Sequence, residues 1–450
     1  MKSRAQLTSG PVGRTLFFMT APMVVGLFAI TAFHLADTLF VARLGTKELA
    51  AISFTFPVVM FTTALALGLG VGTASVLSRA IGEEDPDKMR RLATDSLILS
   101  FLVVVVFIVI GLFTITPLFT LLGAPAEMLP LIRRYMTIWY IGMAFLVIPI
   151  VGNNIIRATG DTLMPSLIMI FGAGVNVVLD PILIFGLWGF PRLELAGAAI
   201  ATVIGRALTM ALALSILHFR ERMLDFSIPG FMDSWDSWKR ILYVGVPSAA
   251  TYVLTPISAG VITRLAASLG TAKVAAFGAG GRVEALALLP LTALASILVP
   301  FIGQNWGAKR LDRVQAAKKC AHGFAFLWGM VLLATFLVTR KHIADLITED
   351  AEVAAGIALY LLITPVARSL FWVCRLSAAT LNAVNRPLAA ASISIMQMFV
   401  FYVPLAYVGS RYFGFAGMLA GGLIGNIIAA ASAMTWTSQP RLRRIASIEE

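Results

Sequence analysis

Phe171-Gly172-Ala173-Gly174-Val175-Asn176-Val177-Val178-Leu179-Asp180-Pro181-Ile182-Leu183-Ile184-Phe185-Gly186 is an apolar run broken by one amide and one carboxylate. It belongs to a longer run, 163–188, that is long enough as a helix to cross about 30 Å of hydrocarbon. Asn176 and Asp180 are four residues apart and therefore share a helix face. A carboxylate at the centre of a membrane span costs about 2.5–3.5 kcal/mol on insertion scales, so Asp180 marks a functional site and calls for a partner.

The composition points the same way. Hydrophobic residues make up 59% of the chain and charged residues only 13%, with a mean hydropathy of +0.88, which identifies an integral membrane protein and excludes a soluble single-core domain. Further runs of spanning length fall near 15–41, 51–78, 92–122, 130–156, 195–218, 238–266, 276–303, 316–339, 354–382, 387–410 and 414–438. With 163–188 they predict an all-α protein of twelve transmembrane helices. The first run is too long for a signal-peptide core and is read as a retained helix.

The net charge of +12 does not indicate nucleic acid, because the basic residues lie in short clusters between apolar runs. Arg79, Lys88, Arg90, Arg91, Lys309, Arg310, Arg313, Lys318 and Lys319 fall on one side. Fewer, among them Arg43, Lys47, Arg133 and Arg134, fall on the other. This bias predicts that both termini and the polar connection 219–239 face the cytoplasm. Cys320 and Cys374 are the only cysteines, too few for a disulfide framework or a cysteine metal site.

The chain also repeats itself. A shift of 225 residues carries Pro22 onto Pro247, Leu44-Gly45-Thr46 onto Leu269-Gly270-Thr271, and Gly82, Asp87 and Ala158 onto Gly307, Asp312 and Ala383. Six helices per copy bring both copies into the membrane in the same sense, so the predicted architecture is two six-helix bundles related by a parallel internal repeat. The expected domains are an N-terminal lobe, 1–218, a cytoplasmic linker, 219–239, and a C-terminal lobe, 240–450.

Ionisable residues inside the predicted spans are few: Asp37 in the first, Asp180 in the fifth, and Arg282 with Glu284 in the eighth. The repeat sets Ile262 opposite Asp37 and Tyr402 to Leu405 opposite Asp180, so the acid pair belongs to the first half alone. A structural role is available to each: Asp37 could be solvated at its helix end, and Asp180 could satisfy amides freed by Pro181. The functional reading rests on polar neighbours, Asn176 one turn away and Thr202 in the following helix. His34 is read as a core or snorkelling residue that could also relay protons, and Arg282 with Glu284 as an ion pair near the outer end of their helix. Asp95, Arg206, Arg368 and Arg375 are read as structural or snorkelling.

Two carboxylates about 6 Å apart at an effective dielectric near 20 repel by roughly 3 kcal/mol. A proton or a hard monovalent cation such as sodium, held by Asp37, Asn176, Asp180 and Thr202, would relieve that repulsion. No cofactor is called for. No His-Glu-x-x-His, histidine-carboxylate cluster or nucleophile motif suggests a membrane-embedded enzyme.

Taken in order, these motifs resemble the multidrug and toxic compound extrusion family of cation-coupled exporters. The matching pieces are Pro22 with Asp37, Arg43-Leu44-Gly45-Thr46 with Glu48-Leu49-Ala50, Arg157-Ala158-Thr159-Gly160-Asp161 with Pro165, and Asn176 with Leu179-Asp180. The resemblance implies two V-shaped lobes and export of cationic or amphipathic organic compounds against an inward proton or sodium gradient. It implies a coupling site on Asp37, Asn176, Asp180 and Thr202, with Asn153 nearby, and bending of the first helix at Pro22. Without acids in the seventh span, and with Arg368 and Arg375 in the tenth, the chain is closer to the branch named after a DNA-damage-inducible protein. The partners implied are small organic molecules and the lipid bilayer of a prokaryotic inner membrane, with a monomer as the working unit. A flippase for lipid-linked precursors, the rival transport reading, would favour a basic cavity, whereas the first half offers Asp37 and Asp180.

Overall fold

The computed structural model describes residues 6–225 and 231–449. The first five residues, the stretch 226–230 within the expected linker, and Glu450 lie outside it. All regular elements among the described residues are helical.

The first half contains α1 (Val12–Ala42), α2 (Thr46–Gly82), α3 (Pro86–Leu121), α4 (Leu129–Ile141), α5 (Ala144–Ala158), α6 (Leu163–Phe185) and α7 (Leu195–Ser215). The second contains α8 (Phe231–Ala267), α9 (Thr271–Ala287), α10 (Leu289–Gly307), α11 (Leu311–Ile347), α12 (Ala351–Ala383), α13 (Pro387–Ile395), α14 (Val403–Trp436) and a polar terminal α15 (Gln439–Glu449). These make twelve spans, several of which depart from a plain rod. The expected helix 130–156 is α4 and α5, bent by 41° at Gly142–Met143. The expected helix 276–303 is α9 and α10, parted at Leu288 ahead of Pro290, whose missing N–H suits a helix's first turn. The last two spans run from α13 through a π-helical segment, Met396–Tyr402, into α14, and they separate at Phe413–Gly414. There Gly414 takes φ 58°, a left-handed conformation open to glycine.

Helix starts are set by short acidic caps. Asp85 accepts from the Lys88 amide ahead of α3, Asp161 from Leu163 and Met164 at α6, and Asp350 from Glu352 and Val353 at α12.

The chain forms two compact units, each treated separately here. One comprises Ala21–Ala249; the other comprises Gln6–Thr20 with Ala250 onward. Two helices are therefore shared: α1 passes from one unit to the other at Ala21, beside Pro22, and α8 does so at Ala249, two residues after Pro247.

In the first unit, the start of α8 is held on α3. Ser234 Oγ donates to the fully buried Asp95 carboxylate at 2.9 Å, Trp238 Nε1 to the Asp95 carbonyl at 3.0 Å, and Arg91 pairs with Asp233 at 2.9 Å. Glycines allow the same helix to lie close to α2, where a Cβ on Gly72 would stand 2.4 Å from the Ile241 carbonyl.

In the second unit, the chain's N-terminal segment is clamped by Arg313 of α11. Its guanidinium donates to the carbonyls of Leu7 (2.9 Å), Ser9 (2.9 Å) and Gly10 (2.6 Å) and to Asn305 Oδ1 (2.8 Å). Asn305 Nδ2 reaches the Leu7 carbonyl, and Gln304 accepts from the Leu7 amide. Removing the guanidinium leaves three carbonyls and an amide oxygen without this donor. Arg313→Ala is expected to destabilise this unit by about 2–4 kcal/mol. Thermal unfolding in detergent, with protease cleavage before residue 20 as the local readout, checks this.

Candidate functional site

Helix α6 is the centre of the site, and its two neighbours are fixed to it by close contacts. Against α1, a Cβ on Gly26 would lie 3.1 Å from Ser166 Cα, and the Phe40 and Phe185 rings meet edge-on at 6.4 Å. The two helices run in the same direction, and interpolation between these contacts puts Asp37 at the level of Asp180. Against the antiparallel α7, a Cβ on Gly197 would stand 2.4 Å from the Leu183 carbonyl, and one on Gly205 2.3 Å from Asn176 Nδ2. That register puts Thr202 at the same level. Small residues let the backbones approach, which is how membrane helices pack without a hydrophobic driving force between them.

Asp180 is 0% exposed, and neither of its carboxylate oxygens has a hydrogen-bond partner. Asp37 is half-buried, with Oδ1 buried and unbonded. The Asp37 charge acts on Asp180. Asn176 donates through Nδ2 to the Gly172 carbonyl at 2.8 Å, and its buried Oδ1 is left without a donor. Pro181 lacks the backbone N–H that would bond the Val177 carbonyl, although the helix continues unbroken through it. A buried carboxylate with no donor is unfavourable as a bare anion. The arrangement can therefore hold a proton or a small cation on oxygens from Asp37, Asp180, Asn176 and Thr202.

Two further residues belong to this cluster. Arg206 acts electrostatically on Asp37, and Tyr135 of α4 lies in the field of Asp37, Asp180 and Arg206. Arg206 sits well inside α7 rather than at its end, so the snorkelling assignment is corrected. Its position one turn after Thr202 was the available sequence signal. Tyr135 follows Arg133-Arg134 and offered none. His34 is exposed, with its ring 5.1 Å from Phe33, yet it lies within reach of the Arg206 charge. Asn153 keeps a buried, unbonded Oδ1 on α5, which packs on α7, but no hydrogen bond joins it to the acids among the described residues.

The second unit has a cleft at the repeat-related position, lined by Ile262, Phe277, Tyr360, Arg368, Tyr402 and Asn426. Ile262, which the repeat pairs with Asp37, and Tyr402, at the start of the stretch Tyr402 to Leu405 that it pairs with Asp180, both line the cleft. Beside the cleft, buried Glu284 accepts from Tyr360 Oη at 2.5 Å and from Arg368 Nε at 3.1 Å. The expected Arg282–Glu284 pair is thus replaced by Arg368–Glu284. Residues two apart project from different sides of a helix, and Arg282 is exposed.

The MatE family profile matches residues 22–182 and again 247–408. The two matches begin at Pro22 and Pro247, which the internal repeat pairs. The chain belongs to the MatE family. It is 37% identical over 428 residues to an FAD transporter of Shewanella oneidensis, covering 95% of each chain. It is 26% identical over 406 residues to a probable multidrug resistance protein, YoeA, of Bacillus subtilis, covering 89% and 88%. Among solved structures, the Vibrio cholerae MATE transporter VcmN in the bent form superposes with a TM-score of 0.91 at 30% identity, covering 99% of both chains. As a MatE protein the chain is a multi-pass membrane transporter of small molecules, not an enzyme.

The close contacts on α6 differ in what they press against. Gly197→Ala meets a backbone carbonyl and is expected to cost about 1–3 kcal/mol by overpacking. Gly205→Ala meets only the Asn176 amide, which can swing away. Melting temperatures should fall more for Gly197→Ala, whereas gradient-driven transport by folded Gly205→Ala protein should fall several-fold.

Proposed function

We propose that this MatE transporter is a secondary active antiporter that exports organic compounds in exchange for protons or sodium ions, with Asp37 and Asp180 as the coupling carboxylates. The observation that carries this reading is Asp180: fully buried, with both oxygens unbonded, and in the field of a second acid. Loading a proton or sodium ion neutralises the pair, and unloading restores the repulsion between the acids. Asn176 and Thr202 supply neutral oxygens on the same face, and Arg206 limits the net charge of the empty site. Bending of α1 at Pro22, where the helix passes between units, would let a change at Asp37 alter the path of the helix. The proposed setting is the cytoplasmic membrane of a prokaryote, with both termini cytoplasmic and a single chain as the working unit.

The cargo fits two classes. A cationic or amphipathic drug is the class suggested by the sequence resemblance, and exporting one positive charge costs about 2.3 kcal/mol per 100 mV, which entry of one proton offsets. The 37% identity to an FAD transporter favours a second class, flat aromatic metabolites that carry phosphate. Export of an anion is helped by an inside-negative potential, so coupling to an entering cation would add to a favourable voltage term.

Efflux from liposomes under an imposed pH or sodium gradient tests the coupling. Asp37→Asn and Asp180→Asn should each lower gradient-driven efflux at least tenfold; wild-type rates in both would sink the proposal. Loss of efflux in sodium-free buffer would assign sodium, and its retention would assign protons. Pro22→Ala should slow transport several-fold with an unchanged melting temperature. A normal rate would limit the proline to a structural role.

A further inference from the structure

Arg368, Phe371 and Arg375 lie on one face of α12, at spacings of three and four residues. The helix is at the centre of the second unit, packed on α9, α10, α11, α13 and α14. The Arg368 and Arg375 guanidinium carbons stand 5.5 and 5.3 Å from the centroid of Phe371, so both cations share one phenyl ring. Trp372 meets that ring edge-on at 6.2 Å. At about 1.5 Å per residue, Arg368 lies some 22 Å and Arg375 some 12 Å from the end of α12 at Ala383. Arg368 is thus near the middle of α12, and Arg375 two turns nearer its Ala383 end.

The two arginines differ in how they are balanced. Arg368 is paired with Glu284. Arg375 donates through Nη2 to the Thr255 hydroxyl, and among the described residues no carboxylate forms an ion pair with it. A guanidinium carries five donors in a planar fork, and here one hydroxyl and a ring face answer them. The residue is half-buried rather than sealed. In the second unit the trio Glu284, Arg368 and Arg375 leaves one positive charge in excess, whereas Asp37, Asp180 and Arg206 leave one negative charge in the first unit. An intramembrane cation without an anion is costly to keep and marks a place where an anion binds.

We infer that Arg375, with Phe371 and Arg368 beside it, forms the subsite that takes the phosphate group of an aromatic cargo. The guanidinium fork matches two phosphate oxygens, and the Phe371–Trp372 pair gives the flat part of the cargo an aromatic wall. This rests on the reading of the chain as an exporter, but it concerns recognition of the cargo and not coupling. A phospholipid headgroup offers the same phosphate chemistry, and the experiment separates the two sources.

Purified full-length protein in phospholipid-free detergent is titrated with riboflavin, FMN and FAD, with quenching of flavin fluorescence as the readout. Wild type should bind FMN and FAD at least tenfold more tightly than riboflavin. Arg375→Ala should lose that preference, weakening FMN and FAD at least tenfold while riboflavin changes less than twofold; Arg375→Lys should recover part of it. Equal binding of all three flavins by wild type overturns the inference. So does an Arg375→Ala or Arg375→Lys protein that melts like wild type and keeps the full preference. In nanodiscs rich in phosphatidylglycerol, the flavin affinities should persist. Displacement of FMN by that lipid, abolished in Arg375→Lys, would overturn the cargo assignment in favour of a headgroup site. Gradient-driven efflux by Asp37→Asn and Asp180→Asn reports on the coupling reading, and the flavin titrations of the Arg375 variants report on this one, so the two fail separately.

Discussion

A carboxylate without a donor, enclosed among apolar helices, is the constraint on which the first unit depends. Asp180 can occupy its place on α6 only if something brings neutralising charge to it. The surrounding sequence is consistent with that need: Gly197 and Gly205 let α7 approach closely enough to bring Thr202 and Arg206 alongside. The contacts at Gly26 and Phe40 hold α1 in the register that sets Asp37 level with it. Pro181 leaves the Val177 carbonyl without its helical donor close to the carboxylate. The glycines are therefore part of the electrostatics, because a larger residue at Gly205 would displace the Asn176 amide.

Duplication produced two units from one plan, and their chemistry then diverged at equivalent positions. Where the first repeat holds Asp37 and Asp180, the second holds Ile262 and the stretch from Tyr402 to Leu405. Its own charged cluster, Glu284 with Tyr360 and Arg368, comes from α9 and α12 instead. There both donors, the Tyr360 hydroxyl and the Arg368 guanidinium, fall on Glu284 Oε2, while Oε1 is buried without a partner. Asp180 of the first unit has no such donor. The two units thus differ in kind: the first holds a carboxylate with neither oxygen bonded, the second a carboxylate held through one oxygen.

Much of this could be seen in the sequence, for identifiable reasons. Twelve apolar runs stand out because lipid demands them, and the repeat is visible because its spacing stays near 225 residues across more than one pair of helices. Asp37, Asp180, Asn176 and Thr202 stand out because polar groups are rare in such runs. What escaped is what only packing decides. Hydropathy runs unbroken through Gly142–Met143 and Leu288, so the breaks in those spans left little trace. Arg206 looked like a snorkelling side chain until the α6–α7 register set it beside Asp37. Glu284 was matched to Arg282, its neighbour in sequence, although its true partner, Arg368, is 84 residues away.

The division of α1 and α8 between units has a topological consequence. The opening turns of the first repeat belong to the second unit, and the opening turns of the second repeat belong to the first. A chain severed between its two homologous halves would thus yield fragments neither of which contains a complete unit. Each would carry the missing piece of the other. Either half expressed alone would therefore lack part of the unit it mainly builds.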